Sequence, residues 1–520
     1  MRRRWPAWDP RRPPPGARLS QVNVLAIDQG TSATKAILVG PGSELLGTGE
    51  VPVAVRTSGA DSVETDPDEL LASVIEAGAQ ALATARAPVA AVALANQGET
   101  VLAWDRITGR PLSPAVVWQD RRSAVICERL AARDDVASRL AKITGLPLDP
   151  YFAAPKMTWL RENLDCFGFG VRGGGLGVRG GDKNCVVTTT DTWLLARLTG
   201  LASYVTDAAT ASRTMLIDLD STRWSEEACA AFDLDPGELP EVVDCAGVIG
   251  ETTSFGSAPV PIAGLAVDQQ AALIAEGCFG AGQAKCTYGT GAFLLATTGA
   301  AAVRSAAGLS ASVAWRLGGV PAYCLDGQVY TAGAAVAWLN EVGLLGSAAE
   351  LDVVAGSVPD SGGVTFVPAL AGLGAPHWQP SARGAFFGLA LGTGRAHLIR
   401  AFIDGLAGLV ALLARSVATD LGQPLTVLRA DGGLTKSRLL MQTQADLLQV
   451  PVEVCRTPDA TALGVAALAR LGLGHADDLP TAVGPVPVES VVEPRIGADE
   501  AAQRMAALES AMAATMATSR

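Results

Sequence analysis

The order of apolar and polar positions predicts a strand pair near the N-terminus and then a helix and a strand. The segment VNVLAID from Val22, the turn QGTSAT and the segment KAILVG predict a β-hairpin with glycine and hydroxyl side chains at its tip. A helix is predicted from Pro67 to Ala85, with Asp66 as its N-cap. The apolar run VAAVALAN then predicts a buried strand that ends on the polar residues 96–100, the position at which open α/β sheets hold ligands.

A second α/β half is predicted after about residue 275. Its strands lie near TYGTGAFLLATT, SVAWRL and GVTFVPAL, and its helices run near Ala332 to Val342 and His397 to Thr419. Because the uncharged stretch from Cys286 to Val303 contains Gly and Thr, it is interpreted as buried strands and a turn rather than a membrane span. Two domains with a ligand in the cleft between them follow.

Composition narrows the class of protein. The 520 residues are 49% hydrophobic and 18% charged, which is typical of a globular chain with more than one core. The net charge of -12 argues against a broad nucleic-acid or anionic-membrane surface, but says nothing about phosphates held by backbone N–H groups. Nine scattered cysteines without a CxxC pair predict free thiols, and three histidines argue against a multi-histidine metal centre. We expect a cytoplasmic protein with no nucleic-acid and no membrane partner.

Two segments are interpreted as lying outside the folded core. Residues 166–183 contain GFGVRG and GLGVRG, which match the dinucleotide-binding pattern formally but lack its strand and helix context. They are interpreted as a flexible surface insert. Residues 1–21 are basic and rich in proline, without the apolar centre of a secretory signal, and are interpreted as a disordered extension.

Four short segments carry the residue types of a phosphoryl-transfer site. They are DQGTS at 28–32, VDQQ at 267–270, YGTG at 288–291 and DGG at 431–433. Each follows an apolar strand, so that glycines can bring backbone amides to phosphate oxygens and carboxylates can approach a metal or a hydroxyl. Any one of them is an ordinary turn, but four together favour chemistry. Because no GxxxxGK[ST] motif occurs, a P-loop enzyme is excluded.

These segments belong to longer distinctive ones that run from about Val22 to Gly474. They include AIDQGTSATKA, ANQGET, AVVWQDRR, DPYFAAPKMTWLREN, TDAATASRTMLIDL, VDQQAAL, TYGTGAF, FVPALAGLGAPHWQPSARGAFFGL and ADGGLTKSRLLMQ. In this order they resemble the FGGY carbohydrate kinases, and within that family the glycerol kinases most closely. The resemblance implies an α/β fold of two actin-like, RNase-H-like ATPase domains with the active site in the cleft. It also implies transfer of the γ-phosphate of ATP, with Mg²⁺, to a hydroxyl of a small polyol or sugar.

The resemblance implies four parts of the chain. They are the extension 1–21, an N-terminal FGGY domain over 22–275 on the substrate side with the insert 166–183, a C-terminal FGGY domain over 276–495 on the nucleotide side, and a helical tail over 496–520. Family members are often dimers or tetramers, so a homo-oligomer is expected.

Matching positions imply roles for individual residues. Asp268 is similar to the general base that takes the proton of the attacking hydroxyl, and Asp28 to the carboxylate near Mg²⁺, with water between them. The implied ATP contacts are Thr31, Ser32, Ala33, Lys35, Thr290, Gly333, Gly433 and Ser437. Lys35 stands where arginine is common, and it keeps the charge without the planar fork.

On the polyol side, the resemblance implies hydrogen bonds from a set of polar residues and one apolar wall. The implied substrate residues are Gly98, Glu99, Tyr151, Asp268, Gln269 and the wall residue Phe293. Gly98 stands where glycerol kinases carry arginine, so five N–H donors are absent. Either the freed volume admits a larger polyol or a ketose, such as erythritol, a pentitol, xylulose or ribulose, or another group fills it and glycerol stays the substrate.

A function of another class also stays open at this point. A non-catalytic actin-like regulatory protein would bind ATP and change domain closure without phosphorylating a metabolite. Asp268 argues against it, because such a protein needs no carboxylate at that cleft position.

Overall fold

The computed structural model of the protein describes residues 22–59, 61–164, 184–456 and 459–518. The extension predicted over 1–21 and the insert predicted over 166–183 therefore lie outside the described residues. Within these ranges the strands are β1 (Val24–Gln29), β2 (Ala33–Val39), β3 (Leu45–Pro52), β4 (Val55–Ser58), β5 (Ser62–Thr65), β6 (Ala91–Asn96), β7 (Val101–Asp105), β8 (Ala115–Val116), β9 (Cys185–Thr189), β10 (Val205–Asp207), β11 (Ile217–Asp218), β12 (Arg223–Trp224), β13 (Glu241–Val243), β14 (Ala246–Thr252), β15 (Val260–Val267), β16 (Gln283–Tyr288), β17 (Ala292–Gly299), β18 (Ser310–Leu317), β19 (Val320–Val329), β20 (Thr365–Val367), β21 (Ala385–Phe387), β22 (Val427–Asp431), β23 (Val452–Cys455) and β24 (Val488–Val492).

The helices of the same ranges cover the sheets and connect them. They are α1 (Pro67–Ala85), α2 (Ala124–Ala131), α3 (Val136–Thr144), α4 (Ala153–Asn163), α5 (Thr190–Leu198), α6 (Ala208–Ser212), α7 (Glu226–Ala231), α8 (Asp268–Ala275), α9 (Gly333–Glu341), α10 (Leu351–Ala355), α11 (Arg395–Leu421), α12 (Arg438–Leu448), α13 (Ala460–Gly472), α14 (Leu479–Val483) and α15 (Ala498–Thr518).

Two large sheets repeat one topology. The N-terminal sheet has the order β14-β15-β6-β1-β2-β3, and the C-terminal sheet has the order β18-β19-β17-β16-β22-β23-β24. In the first, β1, β2 and β3 form an antiparallel meander, and β6 and β15 run parallel to β1 on its other side. The second does the same with β16, β17 and β19, followed by β22 and β23 in parallel. This duplication of an RNase-H-like unit confirms the predicted two-domain α/β fold.

Most predicted elements are present. The hairpin β1–β2 and helix α1 are confirmed, and Asp66 caps α1 because its Oδ1 accepts from the backbone N–H of Asp68 at 2.9 Å. The segment GVTFVPAL is the main difference. Its strand β20 has three residues and pairs with β21 outside the large sheets, because Pro368 follows it and has no N–H to donate.

Helix α11 forms part of the C-terminal core. Among the described residues, it is the helix that is long and apolar enough to cross a membrane by length and composition, yet 72% of its most apolar 18-residue window is buried inside the fold. It packs against β17, β19 and β20, as a core helix does. The eight cysteines in the described ranges are free thiols, as predicted, and Cys166 lies outside those ranges.

Helix α13 joins the two halves of the chain. Although it follows the C-terminal sheet in sequence, it packs on β1, β6 and β15 of the N-terminal sheet and on α8. The approach to α8 is close, since a Cβ atom on Gly464 would lie 1.8 Å from the carbonyl oxygen of Ala271. Glycine is therefore required at position 464 by the close backbone contact. The contact also fixes α8, the helix that begins at Asp268.

We expect Gly464→Ala to destabilise the protein. The added methyl group must push α13 away from α8, at a cost of about 1–3 kcal/mol that outweighs the ~1 kcal/mol gain in helix propensity. Thermal unfolding should show a midpoint lower by several degrees. Gly392→Ala is the matched control, because a Cβ atom there meets nothing within 4 Å. Equal midpoints for the two variants would contradict the close approach.

Candidate active site

The ends of three parallel strands form the floor of the cleft on the N-terminal side. In register, Asp28 of β1 is opposite Ala95 of β6, and Asn96 of β6 is opposite Val267 of β15. The carboxyl ends of parallel strands meet at one edge of a sheet. Asp28, the turn that holds Gly98 and Glu99, and Asp268 at the start of α8 therefore gather at one place.

Two carboxyl groups lie close enough at this edge for the charge of one to affect the other. Burial is the main cause that raises the pKa of Asp28 to about 8, and the nearby charges of Asp268 and Asp459 add to it, while Lys35 opposes them. Burial also raises the pKa of Asp268, which the charge of Lys285 opposes. The Oδ1 of Asp268 accepts from the backbone N–H of Gln269 at 2.6 Å, so the carboxylate is held at the first turn of α8.

The turn between β1 and β2 contributes the first set of predicted ATP residues. Ser32 is exposed, and Ala33 begins β2. The Oγ1 of Thr31 accepts from the indole N–H of Trp118 at 2.9 Å. The ammonium of Lys35 forms an ion pair with Asp459, the residue that precedes α13. Lys35 therefore already has an anionic partner.

The C-terminal domain contributes a second set of loops. The carbonyl oxygen of Thr290 accepts from two backbone N–H groups at the start of α9, and the N–H of Gly333 donates to the oxygen of Gly289 at 2.9 Å. Gly432 has a φ of +93°, and a Cβ atom on it would lie 2.5 Å from the carbonyl oxygen of Tyr288. The loops of Thr290, Gly333 and Gly433 therefore lie together, and the space beside Gly433 is open.

Ser437 has a structural partner set of its own. Its hydroxyl donates to Asp352 Oδ1 and accepts from the N–H of Leu440 at 3.1 Å, which makes it the N-cap of α12. Ser437 follows the loop that holds Gly433, but its hydroxyl already has hydrogen-bond partners in Asp352 and the N–H of Leu440. A contact with ATP stays a prediction.

A buried arginine that sequence reasoning missed lies between the polyol-side residues. The Nε of Arg213 donates to Glu99 at 2.5 Å, and its Nη1 donates to Asp326 at 2.6 Å. Arg213 is 4% exposed. An arginine among the small and apolar residues of TDAATASRTMLIDL was the available signal, because such a residue is rarely buried without an anionic partner. The guanidinium places a positive charge beside Glu99 although position 98 is glycine.

Aromatic side chains connect the polyol side with the phosphate loop. Trp118 makes edge contacts with Tyr151 at 5.6 Å and with Phe293 at 6.4 Å between ring centroids. Its indole N–H is the donor to Thr31. The predicted substrate residues Tyr151 and Phe293 therefore share a wall with the residue that holds the β1–β2 turn.

Lys156 holds the backbone that carries Tyr151. It is fully buried, and its Nζ donates to the carbonyl oxygens of Pro150 at 2.9 Å, Tyr151 at 2.5 Å and Phe152 at 2.7 Å. Burial lowers the pKa of Lys156 to about 8, and the charge of Glu99 is the largest that opposes this shift. This second missed residue positions Tyr151 rather than facing the cleft.

The space beside Gly98 is partly filled. A Cβ atom on Gly98 would lie 3.2 Å from Cγ1 of Val267, which is buried. The volume that the sequence assigned to a missing arginine is therefore bounded by a valine side chain. A Cβ atom added at position 98 would require the Val267 side chain to shift by a few tenths of an ångström.

The residues present fit a magnesium ion that is held mainly by phosphate oxygens and water rather than by protein side chains. No group of three or more His, Cys, Asp or Glu side chains in the described ranges could enclose an ion. The raised pKa of Asp28 beside Asp268 and Asp459 marks a place where a cation would relieve like-charge repulsion. Mg²⁺ commonly takes one or two carboxylates plus phosphate oxygens and water.

This fold and site define a two-domain, actin-like phosphotransferase. Residues 23–275 match the N-terminal domain of the FGGY family of carbohydrate kinases, and residues 284–473 match its C-terminal domain. The chain belongs to the FGGY family, and it is an ATP-dependent carbohydrate or polyol kinase. Membership in a family of kinases leaves the non-catalytic alternative without support.

Several relatives cover nearly the whole chain. A glycerol kinase of Thermus brockianus is 46% identical over 87% of this chain and 90% of the relative. A glycerol kinase of Alkalilimnicola ehrlichii is 43% identical over 94% of this chain and 97% of the relative. Among solved structures, a Plasmodium falciparum glycerol kinase with ADP has a TM-score of 0.86 at 30% identity and covers 95% of this chain and 98% of its own.

We expect Lys156→Met to destabilise the protein. Methionine fits the volume but leaves three buried carbonyl oxygens without their donor, and each unsatisfied group costs about 1–3 kcal/mol. The thermal midpoint should fall clearly below that of Lys142→Met, a matched exposed lysine of α3. A midpoint equal to that of the control would mean that the backbone at Tyr151 does not depend on Lys156.

Proposed function

We propose that the protein transfers the γ-phosphoryl group of ATP to a primary hydroxyl of glycerol and releases glycerol 3-phosphate and ADP. The observation that carries this proposal is the position of Asp268, at the start of α8, between Asp28 and the Glu99–Arg213 pair. The glycerol kinases of Thermus brockianus and Alkalilimnicola ehrlichii support the substrate, since they are 46% and 43% identical to this chain over most of its length.

Asp268 acts as the general base. Its carboxylate takes the proton of the attacking hydroxyl while a bond forms between that oxygen and the γ-phosphorus. The bond from the γ-phosphorus to the bridging oxygen breaks, and ADP leaves with the electron pair. The hydrogen bond from the Gln269 N–H keeps one carboxylate oxygen engaged, which directs the other toward the substrate.

The nucleotide lies between the facing loops of the two domains. Thr31, Ser32 and Ala33 meet the phosphates from the N-terminal side, and Thr290 does so from the C-terminal side. Gly433 has open space beside it and lets the nucleoside approach the backbone, and Gly333 packs against the carbonyl oxygen of Gly289 in the neighbouring loop. Lys35 balances charge through Asp459, and Ser437 is a peripheral member of the set. Mg²⁺ near Asp28 would neutralise the phosphate charge during transfer.

We favour glycerol over a larger substrate on the polyol side. Glu99, Tyr151 and Gln269 supply polar groups there, and Phe293, which contacts Trp118, supplies the apolar wall. Val267 occupies space beside Gly98, which supports the reading in which another side chain fills the place of the absent arginine. The buried guanidinium of Arg213 acts through Glu99, which it orients.

Location and assembly complete the proposal. The free thiols fit a reducing cytoplasm. A homo-oligomer is proposed from the family resemblance.

Asp268→Asn should abolish phosphoryl transfer. The amide cannot accept the proton as a carboxylate does, so kcat should fall by about 10²–10⁴-fold, while ATP binding stays measurable. The readouts are coupled ADP release and isothermal titration with ATP. The control is Asp134→Asn, an exposed carboxylate on the N-terminal domain surface. Turnover within about 10-fold of the parent would exclude Asp268 as the base.

A substrate panel tests the proposed polyol. We expect the highest kcat/KM for glycerol among glycerol, dihydroxyacetone, erythritol, pentitols, xylulose and ribulose, because relatives that cover most of this chain are glycerol kinases. The measurement is ADP release at matched ATP. A four- or five-carbon substrate that exceeds glycerol would favour the larger-substrate alternative. No activity on any of these compounds would refute the substrate class.

A further inference from the structure

A buried lysine that the proposed mechanism does not use lies behind the candidate site. Lys285 of β16 is 0% exposed, and its Nζ donates to Gln269 Oε1 at 2.6 Å and to Thr287 Oγ1 at 2.9 Å. Both acceptors are neutral. No carboxylate of the described ranges is within ion-pair distance of this ammonium. Burying an ammonium group without a direct ion pair costs free energy of folding, and a function for Lys285 would explain that cost.

The charge of Lys285 is balanced only at longer range. It lowers the pKa values of Asp268, Glu276 and Asp326 against the effect of burial. These carboxyl groups surround the lysine on several sides. Their diffuse attraction holds the ammonium in the interior while its hydrogen bonds stay with Gln269 and Thr287.

The chemistry of a lysine determines which way the Gln269 amide points. An ammonium is a donor only, so the atom of Gln269 that faces it must be the carbonyl oxygen. Turning the amide over would bring its NH₂ group against the ammonium, with donors facing donors. The amide orientation therefore does not rest on a choice between two equivalent assignments.

One N–H of the Gln269 amide is left for a ligand. Gln269 is half-buried beside Asp268 at the start of α8, and its side chain donates a hydrogen bond to the Asp268 carboxylate. Because the NH₂ group carries two hydrogens, the second stays available to a bound molecule. We propose that Lys285 is a positioning residue, which locks the Gln269 amide so that this side chain donates to a hydroxyl oxygen of the polyol. This inference rests on the proposed function and adds the residue that sets the polarity of one substrate contact.

The consequence is selectivity for an acceptor at that point of the substrate. A hydroxyl oxygen can accept from the amide, whereas a charged amino group cannot, because it carries donors only. An aminopropanediol with its ammonium at this position should therefore be a poor substrate. Without Lys285, the Gln269 amide could rotate by 180° and present its carbonyl oxygen to the ammonium of the aminopropanediol. The difference in kcat/KM between the polyol and the aminopropanediol should then become smaller.

A double-mutant cycle on the whole protein tests this inference. We expect Lys285→Met to raise the KM for the best polyol of the panel by about 10-fold and to leave the KM for ATP within about 2-fold, as for a lost contact with the polyol alone. Gln269→Leu should raise it by a similar factor. The double variant should be no worse than Gln269→Leu alone, because Lys285 acts through Gln269.

A control and a second compound keep the test decisive if one variant folds poorly. Thr287→Val removes the other acceptor of Lys285 and leaves the bond to Gln269, so the polyol KM should stay within about 2-fold of the parent.

Lys285→Met should also narrow the preference for glycerol over 3-amino-1,2-propanediol by about 10-fold. Multiplicative effects in the cycle, or equal effects of Thr287→Val and Lys285→Met, would overturn the proposal. Absence of polyol turnover in the parent would instead refute the proposed function.

Discussion

The guanidinium of Arg213 joins the two domains at the base of the cleft. It donates to Glu99, which follows a strand of the N-terminal sheet, and to Asp326 on β19 of the C-terminal sheet. One buried cation between two carboxylates is stable only when both remain in place, because removing either leaves an uncompensated charge. The relative position of the two sheets, and hence the distance between phosphate loops and polyol residues, depends on this contact.

The site is supported by cations that do not face the cleft themselves. Arg213 orients Glu99, Lys156 gathers three carbonyl oxygens around Tyr151, and Lys285 engages the Gln269 amide oxygen. Each uses its donors on a neighbour, so the neighbour presents a fixed atom to the ligand. Preorganised polar groups of this kind need not be reordered when substrate binds. The polar side chains that are proposed to contact ligand are thus held by a second layer of buried cations.

Trp118 and α13 link parts that are distant in sequence. Trp118 donates to Thr31 of the phosphate turn and packs against Tyr151 and Phe293 of the polyol wall. Helix α13 comes from the C-terminal half but packs on the N-terminal sheet, and it meets α8 without space for a side chain at Gly464. Trp118 and α13 therefore each contact both the part of the site proposed to bind the nucleotide and the part proposed to bind the polyol.

The order of strands and small-residue turns predicted two α/β halves with a site between them, and the long segments that resemble FGGY kinases predicted the actin-like fold and the kinase class. Both kinds of feature are local in the chain. Asp28, Glu99 and Asp268 could be located from strand ends alone, since parallel strands bring their carboxyl ends to one edge. Arg213 could not, because its partners Glu99 and Asp326 lie more than a hundred residues away in the sequence. Lys156 and Lys285 bond to nearer residues, but the burial of their ammonium groups follows only from tertiary packing. The close approach of Val267 to Gly98 could not be predicted from local sequence either, because the two residues are far apart in the chain. Only the tertiary structure decided which buried charges hold the site and how much room the polyol has, because both follow from side-chain packing between separate strands and helices.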